Sequence, residues 1–232
     1  VMLDRLGEIA APHPPHILQR FLPLLPLYGD LTGPARFLPL AEDVSELVRL
    51  NPVPWEGVTL SAEALAAECR VPTLYELFRV IYETAARQKQ ASYWLCKSMK
   101  NVFYAEGIEA TGLRPYYLYL YRDGRDVALS FQQALVGEKH IYALATNWKQ
   151  DQEEALRLRA RISPERFFSL SYETLLADPE TTMRNLCRWL GIPYSERWRE
   201  YYKSTESRQT ATAGRMWQNV GRPLLKDNTA KF

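Results

Sequence analysis

Arg122 and Ser130 are the two side chains whose types and spacing best suit the binding of an anion. The guanidinium of Arg122 can hold a phosphate through two parallel hydrogen bonds. Ser130 follows eight residues later, and its hydroxyl can turn toward the same anion from a neighbouring helix. The same charges also suit a purely structural ion pair between Arg122 and Asp123 or Asp126. The residues therefore indicate phosphate binding, with a structural salt bridge as the alternative.

An apolar and aromatic run at residues 115–121 predicts the strand that carries Arg122. The run has no polar alternation, which is typical of a central parallel strand that is buried on both faces. Val127 and Phe131 then follow at helical spacing, so a helix is predicted to begin near residues 123–125. This arrangement favours an anion, because the first turn of a helix offers free N–H groups and the positive end of the helix dipole.

The segment at residues 121–130 resembles the 3′-phosphate-binding motif of sulfotransferases and reads Tyr-Arg-Asp-Gly-Arg-Asp-Val-Ala-Leu-Ser. In that family an arginine at a strand end and a serine eight residues later hold the 3′-phosphate of the donor, 3′-phosphoadenosine-5′-phosphosulfate (PAPS). Arg122 and Ser130 match both residue types and the spacing. The resemblance implies an α/β fold of the P-loop-containing nucleotide-binding class, with a central parallel sheet flanked by helices. It also implies PAPS as donor, adenosine 3′,5′-bisphosphate as product, and no metal.

Lys97 ends a second short strand, predicted at residues 93–96. The sequence there resembles the sulfotransferase strand that ends in Lys-Thr-Pro or Lys-Thr-His. The resemblance implies that Lys97 neutralises the charge that grows on the departing phosphate oxygen. Met99 stands where some branches of the family place a histidine base, so this chain must hold its base elsewhere. A surface lysine at a strand end is the structural alternative.

His13 and His16 are the candidate bases, because sulfuryl transfer to a hydroxyl needs a group that removes the acceptor proton. Both lie in the rigid, proline-rich segment at residues 11–18. In the tyrosine-sulfating branch of the family a glutamate base lies in about this region, after the first helix. His16 is preferred because it opens the next predicted helix. The alternative is a histidine that only caps or packs at a proline turn.

Three further residues are assigned to the donor by resemblance. Residues 172–179 closely resemble the family's Tyr-Glu-x-Leu-x-x-Asp-Pro segment, which implies that Tyr172 contacts adenine; a core tyrosine is the alternative. Residues 204–210 resemble a loop that closes over the donor, which implies a role for Ser207. Lys231 resembles a late basic residue whose cation reaches the donor phosphate. The composition of the last forty residues nevertheless predicts a polar, irregular surface segment.

Residues 1–232 are predicted as one domain. Residues 1–9 read as part of a helix, and the chain contains no Gly-rich phosphate loop. Because sulfotransferases carry that loop after their first strand, we expect the strand and the loop to precede Val1. Residues 17–90 are predicted as a helical insertion near the acceptor site, broken into short pieces by prolines such as Pro23, Pro26 and Pro39.

The composition limits the classes of partner. A net charge of +2 gives no sign of a nucleic-acid-binding tail, and no apolar segment is long enough to span a bilayer. Three widely separated cysteines argue against a disulfide framework and against a zinc site. The expected partner is a small-molecule, carbohydrate or peptide acceptor, and the expected compartment is the cytoplasm. The sequence does not indicate an oligomeric state.

The predicted function is transfer of a sulfuryl group from PAPS to a hydroxyl, or to an amine, of an acceptor. Positioning and charge stabilisation would carry the rate, as in phosphoryl transfer. Two alternatives remain: a P-loop kinase-like phosphotransferase on the same fold, and a nucleotide-binding module without catalysis. The first needs a phosphate loop with a lysine and a magnesium carboxylate, and neither is visible in the sequence.

Overall fold

The computed structural model describes residues 1–134, 137–225 and 228–230, and Lys231 lies outside them. Helices predominate. The α-helices are α1 (Ile17–Phe21), α2 (Leu25–Tyr28), α3 (Pro34–Arg49), α4 (Ala62–Glu68), α5 (Leu74–Gln88), α6 (Ala105–Ala110), α7 (Gly124–Gln133), α8 (Ile141–Arg161), α9 (Tyr172–Ala177), α10 (Pro179–Leu190) and α11 (Thr205–Ala213). Short 3₁₀ helices occupy Leu3–Leu6, Leu22–Leu24, Met99–Tyr104, Pro164–Arg166, Glu196–Lys203 and Arg215–Gly221.

The strands form two parallel pairs. Strands β1 (Ile9–Ala10) and β2 (Tyr93–Trp94) make one pair, and strands β3 (Tyr117–Tyr121) and β4 (Phe167–Ser171) make the other. In the second pair Tyr117 lies opposite Phe167 and Tyr121 lies opposite Ser171, so the two strands end together. The parallel strands and their flanking helices were predicted. A central sheet was expected to contain both predicted strands, residues 93–96 and 115–121, but among the described residues they lie in different pairs, since β2 pairs with β1 and β3 pairs with β4.

Two predictions about the strands need correction. The run before Arg122 was expected to be buried on both faces, but Leu120 is 51% exposed and Tyr121 is 40% exposed. Among the described residues, β3 has only β4 as a neighbouring strand, so its far end stays uncovered. Residues 1–9 were expected to be helical, but the 3₁₀ helix ends at Gly7, which has φ +83°, and the chain then extends into β1. Glycine tolerates this left-handed conformation, which stops the helix.

Local capping determines the starts of several helices. Thr73 accepts a hydrogen bond from the Glu76 N–H at 3.2 Å and starts α5. Asp178 accepts one from the Thr181 N–H at 3.0 Å and starts α10. Side-chain oxygens at such positions satisfy N–H groups that would otherwise lack a partner in the first helical turn.

Two helical segments were predicted wrongly. Pro39 was expected to break the chain, but α3 continues through it. A proline in the second turn removes one hydrogen bond, and the buried apolar face of the helix, which includes Phe37, Leu40 and Val44, offsets this loss. Residues 205–213 were expected to be irregular, yet they form α11, which Ser204 caps through the Ser207 N–H at 3.1 Å.

Two apolar clusters lie on opposite sides of the short strands. The larger one joins α1, α3, α4 and α5 and reaches β2, where the Trp94 ring packs 5.1 Å from the Tyr82 ring. The smaller one joins the N-terminal 3₁₀ helix, β1 and α10 around Met183 and Trp198. The helical character predicted for residues 17–90 is thus confirmed. No helix in the described part of the chain is long and apolar enough to cross a membrane.

Candidate functional site

The turn between β3 and α7 places Arg122 at the carboxyl end of a parallel pair. Asp123 caps α7, because its Oδ1 accepts a hydrogen bond from the Arg125 N–H at 2.8 Å. The Arg122 carbonyl accepts the Trp148 indole N–H at 3.2 Å. An added Cβ at Gly124 would lie 3.0 Å from the Trp148 ring, so a larger residue there would have to displace the indole by a few tenths of an ångström. The predicted start of the helix is confirmed, and α8 fixes the turn from the side.

The Arg122 side chain is half-buried among three groups. Its guanidinium lies over the Tyr172 ring, 5.0 Å from the centroid, and Nη2 donates to the Asn228 carbonyl at 2.7 Å. Nη2 is also 3.5 Å from Oδ2 of Asp126, a carboxylate whose side chain is 1% exposed. Nε is buried and has no partner among the described residues. Arg122 therefore takes part in the ion pair with Asp126 that was the structural alternative. It also keeps an Nε–H donor with no partner among the described residues.

Tyr172 and Ser130 have different surroundings. Tyr172 follows directly from β4, and its hydroxyl accepts a hydrogen bond from the Asn228 amide at 3.1 Å. Ser130 is exposed on α7, four residues after Asp126, so the two side chains share one face of that helix. The structure therefore brings Arg122 and Tyr172 into contact. Ser130 is related to them only because it shares one face of α7 with Asp126, whose carboxylate lies 3.5 Å from Arg122.

Lys97 lies just after β2, and its ammonium is bonded to a carboxylate of α11. The Nζ atom donates to Oε1 of Glu206 at 2.9 Å, and the two side chains are 26% and 14% exposed. The second oxygen of Glu206 is buried without a partner among the described residues. The hydroxyls of Ser207 and Thr210 on the same helix are also buried and unpaired among them. Helix α11 therefore carries several unsatisfied polar atoms, and its Glu206 contacts Lys97.

The two candidate bases lie in different environments. Nδ1 of His13 is 3.1 Å from Oδ1 of Asn51, and the His13 ring meets the Trp217 ring edge-on at 5.3 Å. His16 caps α1 in a left-handed conformation with φ 60°, and its Nδ1 is buried without a partner among the described residues. Burial lowers the pKa of both histidines. The charges of Lys97 and Glu206 also act on His13, which joins this histidine to the lysine.

Five of the eight predicted residues thus fall into two groups. One contains Arg122 and Tyr172, and the other contains His13, Lys97 and, on the helix that carries Glu206, the predicted Ser207. Lys231 lies outside the described residues. Within 1–134, 137–225 and 228–230, no group of three or more His, Cys, Asp or Glu side chains has the arrangement of a metal site.

Four residues of these groups were not predicted as site residues from the sequence. Each one contacts a predicted site residue, and the folded chain brings most of them there from a distant position. Asp126 belongs to the motif itself and had been considered only as a structural partner. Glu206 had a detectable signal, because a carboxylate in the first turn of a capped helix is typical of a helix start. The four residues are Asn51, Asp126, Glu206 and Asn228.

Comparisons with known proteins bear on the family and the fold of the chain. The model of the sulfotransferase family matches residues 5–196. The sulfotransferase domain of the Synechococcus PCC 7002 olefin synthase is 20% identical, with TM-score 0.56, over 88% of this chain and 72% of its own. The sulfotransferase domain from the curacin biosynthetic pathway is 21% identical, with TM-score 0.52, over 86% and 79%. Comparison with curated proteins gave no significant match.

At these identities the structural likeness concerns the fold, and it supports the predicted α/β, P-loop-like class with parallel strands between helices. The family match is independent of the coordinates and covers most of the sequence, including the segments around Lys97, Arg122 and Tyr172. The chain belongs to the sulfotransferase family.

Proposed function

We propose that this protein transfers a sulfuryl group from PAPS to a hydroxyl, or less favourably to an amine, of an acceptor. The observation that carries the proposal is the oriented guanidinium of Arg122 at the end of β3. It lies over Tyr172, donates to a carbonyl oxygen, and keeps a buried Nε without a partner among the described residues. A buried donor with no acceptor is costly, and a phosphate oxygen would satisfy it.

The residues present fit the proposed donor. Arg122 and Ser130 would hold its 3′-phosphate, and the positive N-terminal end of α7 would add to the attraction. Tyr172 would contact the adenine. Ser207 and Lys231 are proposed as further donor contacts, and the unpaired buried hydroxyl of Ser207 supports that role. The Asn228 carbonyl occupies one N–H of Arg122, and the buried Nε–H remains for a phosphate oxygen.

The proposed chemistry places Lys97 and a histidine at the reacting group. When bound, PAPS supplies a sulfuryl group whose bond to the 5′-phosphate oxygen breaks as the acceptor oxygen bonds to sulfur. Lys97 would balance the negative charge that develops on the departing oxygen. A histidine would accept the proton released by the acceptor hydroxyl. His13 suits this role better than His16, because its ring is oriented by Asn51 and lies in the field of Lys97.

The acceptor is proposed to be a small molecule, a carbohydrate or a peptide that enters beside α1–α5. The two structural neighbours are sulfotransferase domains of an olefin synthase and of the curacin pathway. Those names describe the neighbours, and the word olefin is a reason to include hydroxylated hydrocarbon chains among the small-molecule acceptors tested.

Calorimetry and a turnover assay test the proposal together. The protein should bind adenosine 3′,5′-bisphosphate more tightly than adenosine 5′-monophosphate, since only the former carries the phosphate that Arg122 would hold. It should also bind the bisphosphate more tightly than ATP with magnesium. Transfer of label from ³⁵S-PAPS to a panel of hydroxylated acceptors should then be measured. Tighter binding of magnesium ATP, or equal binding of both adenosine phosphates, contradicts the proposal.

A binding module without catalysis is the second candidate, and one observation favours it. Lys97 already forms an ion pair with Glu206, so its charge is partly neutralised before any ligand arrives. This candidate predicts tight binding of adenosine 3′,5′-bisphosphate with no label transfer to any acceptor. The Glu206→Gln variant removes the negative charge beside Lys97 and separates the two cases. The rate of label transfer should change if the protein is an enzyme, and no transfer should be detected in either form if it is a binding module.

A further inference from the structure

The loop that carries His13 is held by two side chains from the segment between α3 and α4. The Asn51 amide Nδ2 donates to the His13 carbonyl at 2.8 Å, and the Trp55 indole donates to the same oxygen at 2.7 Å. Asn51 is 7% exposed and Trp55 is also 7% exposed, so these bonds are shielded from water. These two bonds fix the His13 backbone independently of the contacts that its ring makes.

The orientation of the Asn51 amide follows from this arrangement. A backbone carbonyl can only accept, so the Asn51 group that faces it at 2.8 Å must be the NH₂. The Asn51 oxygen is then the atom that faces Nδ1 of His13 at 3.1 Å. An amide oxygen can only accept as well, so Nδ1 must carry a proton. In the neutral ring this leaves Nε2 with a free lone pair, and Nε2 has no hydrogen-bond partner among the described residues.

We propose that Asn51 is a positioning residue that holds His13 in the Nδ1–H tautomer, so that Nε2 is the atom that takes the acceptor proton. The statement about the base rests on the proposed sulfuryl transfer, whereas the statement about the tautomer does not. In the step itself the acceptor O–H bond breaks, its proton moves to Nε2, and its electron pair forms the new bond to sulfur. The bond from sulfur to the 5′-phosphate oxygen of the donor breaks at the same time, and its electron pair stays on that oxygen. The ring then carries the positive charge, with Nδ1–H still bonded to Asn51.

The surroundings of His13 keep the ring neutral before the reaction. Burial is the largest influence and lowers its pKa; Lys97 also lowers it, while the Asn51 hydrogen bond and Glu206 raise it. His16 lies within electrostatic reach, since His13 lowers the pKa of His16. Trp217 packs edge-on against the ring and covers it. A neutral ring with one defined lone pair meets the requirements of a general base.

Nitrogen NMR tests the tautomer directly. Long-range ¹H–¹⁵N correlation on uniformly labelled protein at neutral pH resolves the ring nitrogens of the three histidines, and His13→Gln assigns the His13 signals. We expect a protonated Nδ1 and an unprotonated Nε2 in His13. An Nε2–H tautomer in the wild-type protein overturns the proposal. This result requires no variant of Asn51, so it holds even where such a variant fails to fold.

Two substitutions then separate positioning from structural support. Asn51→Ala should let the ring move to the Nε2–H form that free histidine prefers and should lower kcat, with unchanged affinity for adenosine 3′,5′-bisphosphate. Asn51→Asp keeps an acceptor for Nδ1–H and adds a charge, so it should keep the tautomer and move the acid limb of the kcat profile to higher pH. Loss of activity in both variants with the wild-type tautomer retained in both overturns the proposal. An Nδ1–H ring together with full activity of His13→Gln would instead contradict the proposed base and leave the tautomer assignment standing.

Discussion

The guanidinium of Arg122 lies 5.0 Å from the centroid of the Tyr172 ring, and both side chains hydrogen-bond to Asn228. The two residues directly follow neighbouring strands that end in register at Tyr121 and Ser171. A cation that stacks on an aromatic face keeps its N–H donors at the edge of its own plane. The pair therefore offers oriented donors, and the Asn228 carbonyl already engages one of them.

Replacement of Arg122 by alanine should weaken the binding of adenosine 3′,5′-bisphosphate. A hydrogen bond to a charged group contributes about 1.5–3 kcal/mol, so affinity should fall by roughly 10- to 150-fold. Titration calorimetry measures the loss. Arg125→Ala is the matched control, because that guanidinium lies three residues further along and contacts the Asp123 carboxylate, with its side chain 64% exposed. Equal losses in the two variants would contradict a specific site at Arg122.

Replacement of Asp126 by asparagine should have the opposite effect on binding. The Asp126 carboxylate lies 3.5 Å from Arg122 and would repel an incoming phosphate. A unit charge about 4 Å away contributes about 4 kcal/mol at an effective dielectric constant of 20, so partial relief should tighten binding by roughly tenfold. The melting temperature should fall, because Arg122 loses a partly buried counterion. Weaker binding in this variant would show instead that Asp126 orients the arginine.

Replacement of Lys97 by methionine should slow turnover without a matching loss of donor affinity. Methionine keeps the length of the side chain and removes the charge that would stabilise the departing oxygen. Loss of one such group typically lowers kcat by about 10²–10³-fold. Lys100→Met provides the control, since Lys100 lies nearby in sequence and is bonded to Asp151 on α8. If the affinity for the bisphosphate fell by as large a factor as kcat, Lys97 would act in donor binding and not at the departing oxygen.

The pH profile should report the lowered pKa of His13. A base whose folded-state pKa is depressed stays neutral to lower pH, so the acid limb of kcat/KM, which reports the ligand-free protein, should have its inflection below about 6.5. The free energy of unfolding should also decrease as His13 becomes protonated at lower pH. Between about 6.5 and the lower folded value the unfolded chain binds more protons, so the free energy of unfolding falls as the pH drops through that window. His13→Gln should remove the limb, and His140→Gln, at an exposed helix start, should leave it unchanged. An inflection above 6.5 would contradict the assignment.

The sequence predicted well wherever a few neighbouring residues decide the outcome. The Asp123 cap works within one helical turn, so α7 begins near residues 123–125, as the sequence predicted. The helical spacing of Val127 and Phe131, on which the prediction of α7 rested, lies within that same short segment. Local hydrogen bonds and helical spacing are properties of the chain itself and need no distant partner.

Predictions of burial were wrong where burial depends on contacts with distant parts of the chain. Leu120 had the character of a central strand, but the described residues place no cover on its end of β3. Helix α11 hides Ser207 and Thr210, so it shows no apolar stripe that a sequence pattern would reveal. Hydrophobicity measures the capacity of a side chain to be buried, and only the packed neighbours decide whether burial occurs.

The sequence by itself thus determined the family, the parallel α/β character and the residue types of an anion site. It could not determine which groups meet across long separations. The contacts of His13 with Asn51, of Lys97 with Glu206, and of Arg122 with Asn228 join residues 38, 109 and 106 positions apart. Such contacts carry no local signature, because the cost of closing the intervening chain is met by the whole fold and not by the two residues that touch.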